Sequence, residues 1–174
     1  DTMPVCPAGP PQRSGSRART VERLREDLRY MSDKWDLRFL ELADCIAKWS
    51  KDPDRGVGCV IASPDRRVCA TGFNGLPSGV EDHPDRLARP AKYDLMCHAE
   101  ANAIVQCARH GISPIDATIY CTFFPCIQCA IMIVQAGLSR VVSRELGPGD
   151  EHWAESIAKS QAVFTEAGVS WEMM

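Results

Sequence analysis

The chain has 174 residues and a mass of 19.2 kDa, with 45% hydrophobic and 25% charged residues, as expected for one globular domain. A net charge of −3 and a pI near 5.8 argue against a protein whose whole surface binds nucleic acid. No apolar run approaches the roughly 18 residues that span a bilayer, and the first residues lack the pattern of a secretory signal. We therefore expect neither a membrane protein nor a secreted one.

Cysteine is the unusual component of the composition, because the chain holds nine cysteines, an odd number. Disulfide scaffolds normally show an even count in a short secreted chain. Several of these cysteines lie in apolar segments such as GCVIA and VCATG, where a thiol behaves as a small hydrophobic group. We therefore expect a cytoplasmic protein with free thiols, a few of which are open to metal binding or catalysis.

The first quarter of the chain predicts a leader followed by helices. Residues 1–19 are rich in proline and arginine and hold few large apolar side chains, which favours a flexible leader before a single domain over 20–174. A helix capped by Thr20 shows apolar residues at helical spacing, and a second helix is predicted over about 34–49. Proline and glycine residues end this second helix before residue 58.

The rest of the chain alternates between predicted strands and helices. Strands are expected over about 58–63 and 67–72, and a loop rich in glycine, proline and aspartate fills 73–95. Further helices are expected over about 98–110, 126–136 and 151–167. Further strands are expected over about 117–122 and 139–143, with an edge strand at VSWEM (169–173). This alternation predicts an α/β domain with helices covering a central sheet.

Two short motifs stand at the starts of predicted helices. His98 opens one helix, and Cys126 and Cys129 open another directly after Pro125. A Cys-x-x-Cys pair at a helix start directs two sulfurs to one place and favours their thiolate form. Structural zinc sites are closed by four protein ligands, whereas catalytic sites keep one position open to water. The three ligands therefore predict a zinc ion with a bound water.

Glu100 lies two residues beyond His98, where a carboxylate reaches the water without binding the metal. It would take the proton of the water and pass it to a departing group. The order H-x-E and then P-C-x-x-C is typical of zinc-dependent nucleobase deaminases. Two alternatives, a closed zinc site that recruits Cys97 or His83 and a thiol redox pair, leave Glu100 without a role.

Five segments carry a more specific resemblance: SKDPDRGVGCVI (50–61), ATGFNGLPSG (70–79), KYDLMCHAEANAI (92–104), ATIYCTFFPCIQCA (117–130) and IVQAGLSRVV (133–142). From about Leu40 to Val169 the chain resembles the deoxycytidylate (dCMP) deaminases of the cytidine deaminase superfamily. The resemblance implies a three-layer α-β-α cytidine deaminase-like fold with a central mixed sheet of about five strands. It also implies hydrolysis of dCMP to dUMP and ammonia, in support of dTMP supply.

The resemblance further assigns substrate contacts. Phe124 before Pro125 gives F-P-C, which is similar to the dCMP branch, whereas related purine and riboflavin-pathway enzymes commonly have E-P-C and other cytidine deaminases S-P-C. Asn74 of the GFNG motif is expected to bind the sugar hydroxyl, and Glu100 is expected to hold ring N3 and the amino group. The backbone at Ala99 and near Pro125 would read the base edge. Phe124 fits either a base contact or a core aromatic residue.

A monophosphate substrate needs cationic or backbone donors. The resemblance favours Ser50, Lys51 and Arg55 in the loop before the first strand. Three further cations precede the helix that His98 opens (about 98–110, the zinc helix), namely Arg86, Arg89 and Lys92. Tyr93 either covers the site or only packs against the protein.

The resemblance also bears on assembly and regulation. It implies one catalytic Zn²⁺ per chain, a homo-oligomer such as a hexamer, and control by dCTP with Mg²⁺ and by dTTP at a site around the GFNG loop. A second zinc has only His83 and Cys97 available to it between that loop and the zinc helix.

Three other functions remain open at this point. One is a deaminase of a sister substrate, namely dCTP, a 5-modified dCMP or deoxycytidine. A polynucleotide deaminase is disfavoured by the acidic pI and the acidic 81–85 segment. A non-catalytic zinc module or nucleotide sensor is disfavoured by Glu100.

Overall fold

The computed structural model of the chain describes residues 33–174. Two compact units divide the chain, Asp1–Lys34 and Trp35–Met174, and all but two of the described residues lie in the second unit. The leader predicted over 1–19 and the helix predicted from Thr20 lie outside the described residues. Within 33–174, no helix is long and apolar enough to cross a membrane.

Five strands form one mixed sheet in the order β2-β1-β3-β4-β5. Strand β1 runs antiparallel to both of its neighbours, whereas β3, β4 and β5 are parallel to one another. The five-stranded mixed sheet and the edge position of the last strand confirm the sequence prediction. The strands are β1 (Gly58–Ala62), β2 (Val68–Phe73), β3 (Thr118–Cys121), β4 (Arg140–Ser143) and β5 (Ser170–Met173).

Six α-helices accompany the sheet in the described part of the chain: α1 (33–47), α2 (Pro84–Leu87), α3 (Lys92–Leu95), α4 (Ala99–His110), α5 (Ile127–Gln135) and α6 (Ala154–Ala167), the last preceded by a 3₁₀ turn (Glu151–Trp153). The prediction of an uninterrupted loop over 73–95 was wrong, because this segment contains α2 and α3. The ring of His83 accepts a hydrogen bond from the Asp85 N–H and caps α2, and Pro84 suits its first turn.

The side chains of the central strands alternate between two apolar clusters, one on each face of the sheet. In β1, Cys59 and Ile61 face the cluster that α4, α5 and α6 cover, whereas Val60 and Ala62 face the cluster that α1 covers. All five residues of β1 are buried, as expected for a strand covered on both faces. The helices on both faces give the three-layer arrangement that the sequence predicted.

The two motif-bearing helices begin at the same end of the sheet. Helix α5 follows β3 directly, with Cys126 as its N-cap residue, and His98 is the N-cap residue of α4. Gly75 and Cys97 exchange two backbone hydrogen bonds of 3.1 and 2.9 Å, which tie the GFNG segment to the start of α4. Residues far apart in the sequence therefore meet beside these two helix starts.

Candidate active site

The predicted zinc ligands lie together at the starts of α4 and α5. The Nδ1 atom of His98 is 3.4 Å from the sulfur of Cys126 and 3.4 Å from that of Cys129. All three ligand atoms lie within 4.8 Å of one another. Cys126 is the N-cap residue of α5 and Cys129 lies in its first turn, so the positive end of the helix dipole stabilises negative charge on both sulfurs.

The donor set fits zinc in both chemistry and spacing. Zinc–sulfur and zinc–nitrogen bonds of about 2.3 and 2.0 Å, at tetrahedral angles, place neighbouring ligand atoms about 3.6 Å apart. The observed distances of 3.4 Å from His98 agree with that spacing. Within 33–174, neither Cys97 nor His83 joins the group, so the protein supplies three ligands and a fourth position stays available, as in catalytic zinc sites.

Protonation in the ligand group is uneven. Hydrogen bonds from Cys129 and His98 lower the pKa of Cys126 to about 4, against the opposing effect of burial. The hydrogen bond between Cys129 and Cys126 raises the pKa of Cys129 well above its usual range, and burial and the nearby Glu100 carboxylate raise it further. The pKa of His98 is raised, chiefly by the Cys126 sulfur. The group therefore already favours one thiolate, the form in which cysteine binds a metal.

Glu100 lies in the first turn of α4, and its side chain is buried against the ligand group and lines the same cavity. Burial raises the pKa of its carboxyl, whereas its own backbone N–H and the nearby His98 ring oppose this shift. A carboxyl of this kind takes up and releases a proton more readily near neutral pH than an exposed one. Glu100 is therefore placed and poised for general acid–base chemistry.

A cavity of about 470 Å³ opens at the ligand group, which is the size of a small-molecule site. Of the predicted substrate contacts, Asn74, Ala99, Arg55, Tyr93 and Phe124 line this cavity. Pro125 is fully buried, and neither Pro125, Ser50 nor Lys51 is among the residues that line the cavity. The structure thus gathers most of the predicted contacts around one space.

Phe124 is a core residue with only part of its surface on the cavity. It is 1% exposed and makes edge-on ring contacts with Phe164 and Trp171. Its neighbour Phe123 also lines the cavity, where the Arg55 guanidinium lies 4.6 Å from the centre of its ring. Phe123 therefore offers an aromatic wall on the cavity side, whereas Phe124 chiefly anchors the start of α5 in the core.

Asn74 is 7% exposed and holds the segment before β1 through its side-chain amide. Its Oδ1 accepts from the Val57 N–H at 2.7 Å, and its Nδ2 donates to the Arg55 carbonyl at 2.9 Å and to Asp52 at 3.1 Å. The Ser50 hydroxyl donates to the main-chain carbonyl of Asn74 at 2.8 Å. The sequence suggested Ser50 as a phosphate contact, but in the structure its hydroxyl joins the loop before β1 to the main chain of Asn74.

Each cation that lines the cavity is paired with a carboxylate. Arg55 pairs with Asp150, Arg89 with Asp54 at 2.9 Å, and Lys92 with Asp52 and Asp54 at 2.7 and 2.6 Å. The side chains of Arg55 and Arg89 are 45% and 64% exposed, whereas that of Lys92 is only 7% exposed. The other two candidate cations, Lys51 and Arg86, bond to Asp82 and to the Glu81 carbonyl.

Several cavity residues were missed by the sequence analysis: Asp52, Asp54, Val57, Met96, Phe123, His152 and Trp153. Phe123 had a usable signal, because it stands next to the quoted F-P-C motif. His152 and Trp153 belong to the connection between β4 and α6 and carry no local motif. Only the folded topology shows that this connection reaches the cavity.

Comparisons with known proteins agree with this geometry. An uncharacterized deaminase from the luxG 3′ region of Aliivibrio fischeri is 41% identical over 140 residues, covering 80% of this chain and 92% of that protein. Human deoxycytidylate deaminase is 31% identical over 144 residues, covering 79% of this chain and 78% of that enzyme. The crystal structure of dCMP deaminase from the cyanophage S-TIM5 in complex with dCMP and dUMP is 28% identical, with a TM-score of 0.63 over 79% of this chain and 94% of that one.

The family assignment rests on a match to a family model that covers more than half of the chain. The family model described as the cytidine and deoxycytidylate deaminase zinc-binding region matches residues 33–145, which include the three ligands and Glu100. With its mixed five-stranded sheet and its His-Cys-Cys group, the chain belongs to the cytidine and deoxycytidylate deaminase family.

Proposed function

We propose that this chain catalyses the hydrolytic deamination of dCMP to dUMP and ammonia. The observation that carries the proposal is the buried Glu100 carboxyl beside a group of three zinc-ligating side chains at the base of a nucleotide-sized cavity. Support comes from the human relative, which is named deoxycytidylate deaminase, and from the similar cyanophage enzyme, which binds dCMP and dUMP.

The chemistry requires a water oxygen to bond to ring carbon C4 while the exocyclic amino group leaves as ammonia. His98, Cys126 and Cys129 would hold the zinc ion, which when bound makes water a better nucleophile at neutral pH. Glu100 would take a proton from the attacking water and deliver protons to ring N3 and the departing amino nitrogen. Its burial keeps bulk water from competing for these protons.

The walls of the cavity suggest how the nucleotide is oriented. The base would lie against Ala99 and the aromatic wall at Phe123 and Phe124, with its amino group toward Glu100. The sugar hydroxyl would then reach Asn74. Tyr93 is 63% exposed at the mouth, where it would cover the sugar and phosphate.

Arg55 and Arg89 are the proposed phosphate ligands. Arg89 and Asp54 form an exposed ion pair, which is worth about 0–1 kcal/mol, so Arg89 exchanges its carboxylate partner for a phosphate at little cost. Arg55 is also exposed, but its partner Asp150 is buried and, among the described residues, keeps only the hydrogen bond from the Gly147 N–H when Arg55 turns to a phosphate, so this exchange costs more. Lys92 is not proposed for this role, because breaking a buried pair leaves uncompensated charge. Ser50 and Lys51 are likewise set aside, since they bond to Asn74 and Asp82 away from the cavity.

The decisive experiment compares wild type with Glu100→Gln. Zinc content and product formation would be measured on dCMP, dCTP, a 5-modified dCMP, deoxycytidine and a single-stranded oligonucleotide. We expect about one zinc per chain in both proteins, turnover of dCMP by wild type only, and little activity on the other substrates. Equal activity of the two proteins, or no turnover of any of these compounds, would contradict the proposal.

One observation favours deoxycytidine as the second candidate substrate. Among residues 33–174, Arg55, Arg89 and Lys92 line the cavity and all are paired with carboxylates, so none of the three offers a free positive charge to a phosphate before exchange. The variants Arg55→Gln and Arg89→Gln, assayed on dCMP and on deoxycytidine, show which of the two is the substrate that the site recognises. Both variants raise KM for dCMP if phosphate is bound there, whereas deoxycytidine kinetics change little in either case.

We further infer a homo-oligomeric, cytoplasmic enzyme with nucleotide effectors. The eight described cysteines are free thiols, which suits a reducing compartment. The GFNG segment, around which the family's dCTP–Mg²⁺ and dTTP effectors are expected, is joined to the start of α4 and so to the site. Light scattering with and without dCTP, Mg²⁺ or dTTP, alongside the corresponding rates, tests the assembly and its control.

A further inference from the structure

The side-chain amide of Asn74 has one hydrogen-bonding position left for a ligand. An amide nitrogen carries two hydrogens, and those of Nδ2 point to the Arg55 carbonyl at 2.9 Å and to Asp52 Oδ2 at 3.1 Å. The Met96 sulfur, 3.6 Å from the same nitrogen, is a weaker third neighbour. Oδ1 accepts one hydrogen bond, from the Val57 N–H, and keeps a second lone pair. Asn74 can therefore accept from a ligand but has no free hydrogen to donate.

Lys92 and Asp52 hold the amide in this orientation. The two side chains are 7% and 8% exposed, and Lys92 Nζ lies 2.7 Å from Asp52 Oδ1. The Asp54 N–H donates to the same oxygen at 2.9 Å, which leaves Oδ2 for Asn74. A carboxylate only accepts hydrogen bonds, so the Asn74 nitrogen must face it. If the amide turned over, Asn74 Oδ1 would face Asp52 Oδ2, and both atoms are acceptors. The Val57 N–H would then face Asn74 Nδ2, which is also a donor.

We propose that Lys92 and Asp52 are positioning residues that restrict Asn74 to accepting a hydrogen bond, so the site selects substrates with a free sugar hydroxyl. The inference rests on the proposed function, since the 3′-hydroxyl is the only sugar hydroxyl of dCMP. A nucleotide whose 3′-oxygen is alkylated or phosphorylated, as inside a polynucleotide chain, has no hydrogen to donate there. It would leave the buried lone pair of Asn74 unpaired.

The first test uses wild-type enzyme and three analogues of dCMP altered only at the 3′ position. The 3′-amino analogue donates, the 3′-O-methyl analogue only accepts, and the 2′,3′-dideoxy analogue does neither. We expect kcat/KM to stay within about threefold for the amino analogue and to fall about tenfold or more for the other two. Loss of activity with the amino analogue, or retention with the O-methyl analogue, would overturn the inference.

A matched pair of variants then tests the two aspartates. Asp52→Asn keeps an oxygen toward Lys92 and turns a donor toward Asn74, which allows the Asn74 amide to turn over and present Nδ2 in place of Oδ1 to the sugar. Asp54→Asn removes the same charge from the same lysine but does not contact Asn74. The ratio of kcat/KM for the 3′-O-methyl analogue to that for dCMP should rise about threefold or more in Asp52→Asn and stay unchanged in Asp54→Asn.

The outcomes separate this inference from the proposed function. An equal rise of the ratio in both variants would point to a general loosening of the loop and overturn the role of Asp52. If Asp52→Asn does not fold, the wild-type analogue series decides alone. If the enzyme turns over dCMP and its 3′ analogues with similar kcat/KM, the proposed function is supported and this inference is refuted. If the enzyme does not turn over dCMP at all, both are refuted.

Discussion

The backbone of Gly72 in β2 packs directly against the carbonyl oxygen of Ala99 in α4. A Cβ on Gly72 would lie 2.2 Å from that oxygen and 2.6 Å from the Ala103 nitrogen, so no other residue fits unless α4 moves. Helix α4 begins beside His98 and carries Glu100 in its first turn. The closeness of one strand to one helix therefore fixes the position of the proposed proton carrier.

Gly72→Ala is expected to lower both stability and activity. Overpacking of a rigid backbone contact costs about 1–3 kcal/mol, and displacement of α4 separates Glu100 and His98 from the cysteines on α5. Urea unfolding and zinc content would be measured together. Gly147→Ala is the control, because its Cβ would meet only Asp150 at 3.7 Å. Wild-type stability of Gly72→Ala would show that the contact is looser than the distances indicate.

The His-Cys-Cys group and most of the sheet could be predicted because their signals are local. Cys126 and Cys129 are three residues apart at a helix start, and the strands show apolar runs bounded by turn residues. The helices α2 and α3 were missed because four residues each are too few to show helical periodicity.

The ion pairs that line the cavity could not be predicted, because they join distant parts of the chain. Lys92 and Asp52 are 40 residues apart, and Arg55 and Asp150 are 95 apart. A lysine or arginine of this kind is indistinguishable from an exposed surface charge until the fold brings its partner to it. Ser50 also has a partner that the sequence does not indicate, because its hydroxyl, which could donate to a phosphate, donates to the main-chain carbonyl of Asn74.

The buried Asp36 of α1 forms an ion pair with the partly buried Arg140 of β4, on the face of the sheet opposite α4 and α5. Both carboxylate oxygens accept from the guanidinium, at 2.9 and 2.8 Å, and Tyr120 donates to Asp36 at 2.7 Å. Asp36→Ala should cost about 1–3 kcal/mol of unfolding free energy, because the buried Tyr120 hydroxyl loses its acceptor and Arg140 keeps only Glu172 as an ion-pair partner within 33–174. Activity per folded molecule should be unchanged, since Asp36 does not line the cavity.

The control for this prediction is Asp44→Ala. Asp44 is also on α1 and pairs with Arg144 at 2.6 Å, but its side chain is 42% exposed. An exposed pair contributes about 0–1 kcal/mol, so this variant should unfold close to wild type. Equal losses in the two variants would contradict the assignment of a stabilising role to the pair of Asp36 and Arg140.

Thiol reactivity should follow burial. Cys45 is exposed, whereas Cys59 and Cys121 are fully buried on neighbouring strands, and burial raises the pKa of both thiols. Because the thiolate is the reactive form, iodoacetamide should modify Cys45 in the native protein and reach the strand thiols only after unfolding. Peptide mass spectrometry over time measures this order. Early labelling of Cys59 or Cys121 would indicate that the sheet opens locally under native conditions.

The pair of Arg55 and Asp150 should make stability depend on acidic pH. Arg55 and the Gly147 N–H lower the pKa of Asp150 below its usual value, against the effect of burial. Since the folded pKa is lower than the unfolded one, the stabilisation is complete above the unfolded pKa of about 4 and is lost as pH falls through the folded pKa. Asp150→Asn should therefore be less stable than wild type at pH 7, and the difference should shrink below pH ~4.

Urea unfolding of wild type and Asp150→Asn at pH 7, 5, 4 and 3 measures this difference, and the contribution of bound zinc cancels between the two proteins. Asp94→Asn is the control, because Asp94 is exposed and forms no ion pair with another residue of 33–174, so its difference from wild type should stay near zero. Arg55→Gln should reproduce the pH dependence of Asp150→Asn. A difference that is constant down to pH 3 would mean that Asp150 does not pair with Arg55 in solution, and Arg55 would then be free to bind phosphate without exchange.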